Sequence, residues 1–368
     1  MIIGIEAERA NNPYKTGVEH YAKQLILHLA EIDHDNQYVL YLRTKPEDWF
    51  LKLPDNFKIK VLPFPIFWTQ LRLSYEMFQY PVDVLFIPAS ALPLLHPKKT
   101  VVTIHDLGWR FYPETFTWFN RNFLELSTWF AVTSASSIIS VSEATKKDLV
   151  KEYSILPERI TVISHGYEKQ AIHAFVEKSG DELRQLESSV ILPEKYILFL
   201  STLQPRKNLA GLIEAFNLLK KEMPELKHKL VVVGKPGWKF EPILELIQEN
   251  SENVLYLNHV SDSDRFTILK QAEMVVLPSF YEGFGMQILE SFSMNVPVVV
   301  SKVSSMPEVA GEAALYFDPH NTAEIKNAMK MVLSDKGLRD SLILKGAERL
   351  KKFSWEKCAL ETLEVLKT

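Results

Sequence analysis

The chain has 368 residues, 46% of them hydrophobic and 24% charged, and a formal net charge of −4. That length suits two domains with a core each, and the mildly acidic balance argues against a protein that grips nucleic acid by neutralising many phosphates. The single cysteine, Cys358, excludes an internal disulfide framework and any cysteine metal cluster.

The opening "MIIGIEAERANN" has no basic start, long apolar core or small-residue cleavage site, so it reads as a first strand and not as a leader. No apolar run approaches the ~20 residues of a membrane-spanning helix. The expected location is the cytoplasm, with the inner face of the membrane as the alternative. Strands are expected at Met1 to Ile5, Tyr38 to Leu42, Val82 to Pro88, Thr100 to His105, Ser137 to Ser142 and Ile160 to Gly166. Between them lie helical patterns such as "GVEHYAKQLILHLAEI", Gly17 to Ile32. Gly17 opens that helix and is placed to admit a phosphate or an acceptor close to the backbone.

The segment "PFPIFWTQLRLSYEMFQYP" runs from Pro63 to Pro81. Spacings of three and four assign Tyr75 and Phe78 to a buried helix face. Phe64, Phe67 and Trp68 flank two prolines, so they are expected on a loop, exposed, where rings suit stacking on a sugar or docking at a membrane interface. With Arg72 they form the candidate acceptor group: Phe67, Trp68 and Arg72. His105 and Asp106 close a strand in "TIHDL", at the edge where α/β sheets bind ligands.

After Tyr167 the chain turns polar, and residues 171–195 read as a linker. Strands resume at Tyr196 to Thr202, Lys229 to Gly234, Asn253 to Asn258, Met274 to Ser279 and Pro297 to Ser301. Short apolar strands alternating with helices imply parallel sheets covered on both faces. The expected domains are 1–170, 196–351, and a final amphipathic helix, 352–368, joined to the first domain, with Ser354 as its N-cap.

Two stretches of the second half carry chemistry. "PRKNLAGLIEAF" sets Arg206 and Lys207 at a helix start, where paired cations and backbone N–H groups suit a diphosphate. A solvated basic pair is the plainer reading, but the helix dipole disfavours it. "FYEGFGMQILE" puts Glu282 before Gly283, Phe284 and Gly285, and Glu290 about one turn into the helix that opens near Met286. Glycines let backbone approach a ligand, and carboxylates accept hydrogen bonds from paired sugar hydroxyls. No Asp-x-Asp metal motif closes a strand; "SDSD" at Ser261 to Asp264 reads as a helix cap.

These motifs, together with "PVVVSKVSSMPEVAGEAALYFDP", "TIHDL", "SVSEATKKDL" and "ISHG", resemble the retaining, nucleotide-sugar-dependent glycosyltransferases of family 4 over most of the chain. The resemblance implies an α/β fold of GT-B architecture: two doubly wound parallel-sheet Rossmann-like domains facing a central cleft. It implies that Arg206 and Lys207 hold the donor diphosphate, that Glu282 meets the donor sugar and Glu290 the ribose, and that His105 lies beside the transferred sugar. Glu282, His105, Arg206 and Lys207 form the implied catalytic set. Donor binding would add Gly17, Gly283, Phe284, Gly285, Met286, Glu290, and the backbone of His259 and Val260 at the base. The family often has more glycines in the first loop, where only Gly17 stands out, and Asn295 replaces a common glycine.

The implied activity is metal-independent transfer of a hexosyl unit to a hydroxyl of a glycan or lipid-linked glycan. GDP-mannose is the first expectation for the donor and a UDP-sugar the second. A sugar-nucleotide epimerase or phosphorylase on a similar scaffold is the rival enzyme, and a non-catalytic sugar-binding protein the rival class. No resident cofactor and no nucleic-acid partner are expected; peripheral membrane association and oligomeric state are left open.

Overall fold

The computed structural model describes residues 1–12, 17–168, 191–258 and 260–368, with Asp262 and Ser263 through their backbone alone. The chain divides into two compact units. The first comprises Met1–Phe111, Trp118–Gly166 and Phe353–Thr368; the second comprises Tyr112–Thr117 and Tyr167–Lys352. Of the expected linker, residues 171–190 lie outside the described residues.

Among the described residues, the first unit is built on seven parallel strands: β1 (Ile2–Glu6), β2 (Gln37–Leu42), β3 (Phe57–Val61), β4 (Val84–Ile87), β5 (Thr100–Ile104), β6 (Ser137–Ser140) and β7 (Ile160–Val162). Their order is β3-β2-β1-β4-β5-β6-β7. The described residues of the second unit form six: β8 (Tyr196–Leu200), β9 (Lys229–Val233), β10 (Val254–Leu257), β11 (Met274–Leu277), β12 (Val298–Ser301) and β13 (Ala314–Phe317), in the order β10-β9-β8-β11-β12-β13. Every pairing in both sheets is parallel. Each order reverses once, between β1 and β4 and between β8 and β11. Such switch points are where open α/β sheets bind ligands, beyond the carboxyl ends of the strands.

Strands β3 and β13, both at sheet edges, went unread in the sequence. "FKIKV" carries Lys58 and Lys60 among its apolar residues, and "ALYF" buries fully only Ala314 and Phe317. Central strands such as β4 and β11 are buried at every position, which writes a continuous apolar run.

Tyr75 and Phe78 are a correction: they are 58% and 68% exposed. The inward face of their helix (Ser74–Gln79) is taken by Met77 and Glu76. Glu76 is drawn inside by Lys60 and by Arg72, which lies 3.0 Å from it.

The last helix, Trp355–Lys367, starts at Ser354, whose hydroxyl accepts the backbone N–H of Lys357. It packs on the helix Gly17–Ile32 and buries Cys358, Ala359, Leu363 and Leu366. Its entry is tight. A Cβ at Gly166 would lie 2.1 Å from the Trp355 backbone nitrogen, so the glycine closing "ISHG" is a packing requirement. Beside it the His165 ring stacks on Trp355 at 5.6 Å and on Tyr21 at 4.9 Å. Among the described residues no helix is long and apolar enough to cross a membrane.

Candidate active site

In the second unit both motifs leave the two strands that flank the switch point. After β8, Pro205–Lys207 form a short 3-10 turn. Asn208 then turns left-handed (φ 55°) and caps the helix Leu209–Glu222 by accepting the N–H of Gly211 at 3.2 Å. Arg206 and Lys207 therefore stand ahead of the helix, not within its first turn. Both are only 8% exposed. Burying two adjacent cations is costly unless each is partnered. The partners come from the loop after β11. Arg206 donates to the Tyr281 carbonyl at 2.6 Å. Lys207 donates to both oxygens of Glu282, at 2.6 and 2.8 Å, and Arg206 lies 3.9 Å from the same carboxylate. Ser279 adds a hydroxyl bond to Glu282 at 2.7 Å. Burial pushes the Glu282 carboxyl up, but Lys207, Arg206 and the Ser279 bond outweigh it and hold it below the usual carboxylate range.

The loop itself is pinned from "VSSMPEV". The Glu282 N–H donates to the Ser304 hydroxyl at 2.9 Å, and the Ser305 hydroxyl donates to the carbonyls of Glu282 and Phe284 at 2.9 and 3.0 Å. Gly285, at φ 95°, turns the chain into the helix Met286–Ser293, a conformation that disfavours any side chain. Gly283 and Phe284 precede it and are buried. Asn295 adopts φ 57°, the left-handed turn that asparagine tolerates.

The two carboxylates of the motif are held by different cations. Glu290 accepts from Arg265 at 2.6 Å, and Arg265 also lies 3.6 Å from Glu168. Arg265 stands on the helix Asp262–Gln271, capped by Ser261, which accepts the N–H of Asp264. Val260 is half-buried just before that cap, and His259 lies outside the described residues. Sequence reasoning missed Ser279, Ser304, Ser305, Asn208 and Arg265. The serines had a signal in the Ser-Ser pair before Met306-Pro307; Arg265, on an unremarkable helix, had none.

In the first unit, His105 follows β5 and its Nε2 lies 2.9 Å from the Pro88 carbonyl. A carbonyl only accepts, so Nε2 carries the proton and Nδ1 is the acceptor nitrogen. Burial lowers the imidazole pKa, against the Pro88 bond and the charges of Asp106 and Glu19, so the ring stays neutral. Gly17 is exposed at the first position of its helix; residues 13–16 before it lie outside the described residues.

The proposed acceptor group is divided by the structure. Phe67 is 54% exposed and left-handed at φ 49°, an uncommon state for an aromatic residue. Trp68 is a correction: it is 5% exposed, and its indole N–H donates to the Leu62 carbonyl at 2.6 Å. Arg72 is spent on Glu76 and on the Tyr75 ring, 5.7 Å away. Phe67 and Trp68 do border a cavity of about 630 Å³ in this unit, which Arg72 does not line.

Known proteins bear on this arrangement. The family described as glycosyl transferases group 1 matches residues 184–349, and Glycosyltransferase Family 4 matches residues 15–170. O-antigen chain mannosyltransferase B of Escherichia coli is 31% identical over 273 residues, 73% of this chain and 70% of that protein. The serotype-specific mannosyltransferase WbdA of Escherichia coli is 26% identical over 283 residues, 76% of this chain but 34% of that longer protein. Among solved structures, Anabaena HepE in complex with UDP-glucose superimposes with a TM-score of 0.73 at 17% identity, covering 100% of this chain and 99% of the other, and carries the same fold. Two family matches that divide the chain between them, and a relative above 30% identity over most of both sequences, place this chain among the group 1 glycosyltransferases: a transferase with the GT-B fold.

Proposed function

We propose that the chain is a retaining mannosyltransferase that moves a mannosyl unit from GDP-mannose to a hydroxyl of a glycan or lipid-linked glycan, without a metal. The observation that carries the reading is the Lys207–Glu282 pair beside Arg206, buried at the switch point of the second sheet. A diphosphate reaching these cations competes with Glu282 for them. The displaced carboxylate then accepts hydrogen bonds from hexose hydroxyls, as Glu290 does from the ribose. In transfer, the acceptor oxygen bonds to the anomeric carbon while the bond from that carbon to the diphosphate oxygen breaks. The nucleoside diphosphate leaves, and one proton is released from the acceptor hydroxyl. Negative charge grows on the leaving diphosphate, where Arg206, Lys207 and the N–H groups from Gly283 to Met286 oppose it. Backbone near Val260 would meet the base, Gly17 a phosphate or acceptor, and the neutral His105 offers Nδ1 to a sugar hydroxyl.

The name of the mannosyltransferase B relative supports mannose, and the HepE complex supports a nucleotide-sugar donor. A UDP-sugar is the second reading, favoured by that same complex. The test is a melting-temperature series with GDP, UDP, GDP-mannose and UDP-glucose, followed by NMR of the product's anomeric proton. Stabilisation by GDP and GDP-mannose with an α-linked product is expected. Stabilisation by the UDP compounds alone would move the base assignment, and a β-linked product would end the retaining assignment.

A further inference from the structure

The segment Tyr112–Thr117 lies between two stretches of the first unit in sequence, yet it packs with the second unit. Its own bonds make it a compact strap. Pro113–Thr115 form a 3-10 turn, and the Tyr112 carbonyl accepts both the N–H and the hydroxyl of Thr115, at 3.0 and 2.7 Å. Thr115 and Phe116 are buried. A single 3-10 turn is not stable alone in water, so its contacts hold it in place.

The strap is fastened at both ends. At one end the Tyr112 ring stacks on Phe280, with centroids 5.8 Å apart and planes at 19°, and the His320 ring stacks on the same Phe280 at 4.7 Å and 22°. At the other end Phe116 meets the Trp238 indole at 5.5 Å, and Lys239 donates to the Glu114 carbonyl. Phe280 follows β11 and Trp238 follows β9, and β8 runs between those strands in the sheet. The strap therefore joins the loops on either side of the turn Pro205–Lys207, which follows β8.

The same loops grip that turn. The Phe280 N–H donates to the Arg206 carbonyl at 2.9 Å, and its neighbours Ser279 and Tyr281 bond to Glu282 and to the Arg206 guanidinium. Pro319, next to His320, accepts the Asn208 amide at 2.8 Å. On the β9 side the Gly237 N–H donates to the Leu203 carbonyl at 2.9 Å, and a Cβ at Gly237 would lie 2.6 Å from the Gln204 side chain. Phe280 thus links the strap to the cations: its ring meets Tyr112 and its backbone meets Arg206.

We infer that Tyr112 is a positioning residue for the diphosphate site, holding Arg206 in its direction through Phe280; the inference rests on the donor reading above. A 3-10 turn has poor hydrogen-bond geometry of its own, and this one carries two cations. Charge fixed before the ligand arrives acts without reorganisation, whereas charge on a loose turn loses part of its effect to ordering. An aromatic stack suits that task, because a ring presses with a large area and has few rotamers to lose.

Calorimetric titration of the full chain with GDP, GMP, UDP and UMP tests this. The wild type should bind one diphosphate more tightly than the matching monophosphate. Tyr112→Ala should weaken that diphosphate about tenfold and the monophosphate by less than about twofold, and Tyr112→Phe, which keeps the ring, should restore wild-type affinity. In an Arg206→Ala background, Tyr112→Ala should add less than about twofold, since residues acting through one group are not additive. A loss of packing alone would lower the melting temperature and leave the diphosphate-to-monophosphate ratio unchanged. Where Tyr112→Ala does not fold, His320→Ala removes the exposed ring of the stack and should shift the same ratio in the same direction. Wild-type ratios in these variants, an equal loss in Tyr112→Phe, or an undiminished loss in the Arg206→Ala background would overturn the inference. A wild type that binds neither GDP nor UDP would end the donor reading and this inference with it, whereas unchanged ratios in a chain that binds either nucleotide would end this inference alone.

Discussion

The two switch points of this chain solve different problems. In the second unit the site is closed upon itself. Lys207 and Arg206 are buried and share the half-buried Glu282 carboxylate, and hydroxyls of Ser279, Ser304 and Ser305 fix the loop that carries Glu282. In the first unit the cavity is open, walled by exposed rings and floored by carboxylates. Charge explains the contrast. A diphosphate needs buried cations, which must be balanced while they wait, and fixed dipoles do that without later reorganisation. The open wall of the first unit instead presents apolar area to water, and Glu6 beneath it is pushed up to about 7 by burial.

The contrast can be attacked at four places, from the largest expected effect down. Trp68→Ala removes a 5% exposed ring at the border of the cavity and leaves the Leu62 carbonyl without its donor, so a stability loss of about 3–5 kcal/mol is expected in chemical denaturation. An unchanged midpoint would make Trp68 part of the ligand-facing surface and not of its support. Lys207→Ala should cut turnover by about 10²–10³-fold. Because it also strands Glu282, the double variant with Glu282→Gln should recover melting temperature but not rate. Recovery of rate would assign the pair to stability alone.

Glu6→Gln sharpens the other side. A carboxyl raised from 4.5 to about 7 by burial binds more protons folded than unfolded. Its contribution to stability is intact in acid and declines as pH rises through that interval, to a cost of about 3 kcal/mol by pH ~8. Arg9 opposes the shift and Glu8 adds to it. The variant should therefore gain on the wild type as pH rises, and parallel pH profiles would show that Glu6 is already ionised in the fold. The smallest expected effect is that of EDTA, since the proposed stabilisation of the leaving diphosphate comes from Arg206, Lys207 and backbone N–H groups. Loss of transfer that manganese or magnesium restores would contradict it.

Much of this was legible in the chain. The boundaries of the helix Gly17–Ile32 and the Ser354 cap follow from local periodicity and capping chemistry, which act within one turn. The motifs after β8 and β11 stood out because charge and glycine concentrate there in short runs. The surroundings of the aromatic segment were not. Phe67 and Trp68 are adjacent in sequence and both border the cavity, yet one is exposed and the other buried. The left-handed turn at Phe67 and the Leu62 carbonyl decide which is which, and neither is written in residue type.

By itself, then, the sequence determined alternating strands and helices, the Ser354 cap, and where charge and glycine cluster after β8 and β11. Those properties depend on neighbours within a few positions. Tertiary structure alone decided who meets whom: Glu282 with Lys207 across 75 positions, Glu290 with Arg265 across 25, and Tyr112–Thr117 with the second unit although the first unit surrounds it in sequence. It also decided that Arg72 would answer to a buried Glu76 and leave the cavity to Phe67, Phe119 and Phe123. Partner choice across such distances is set by which loops the two parallel sheets bring to their carboxyl ends, and no local pattern encodes that.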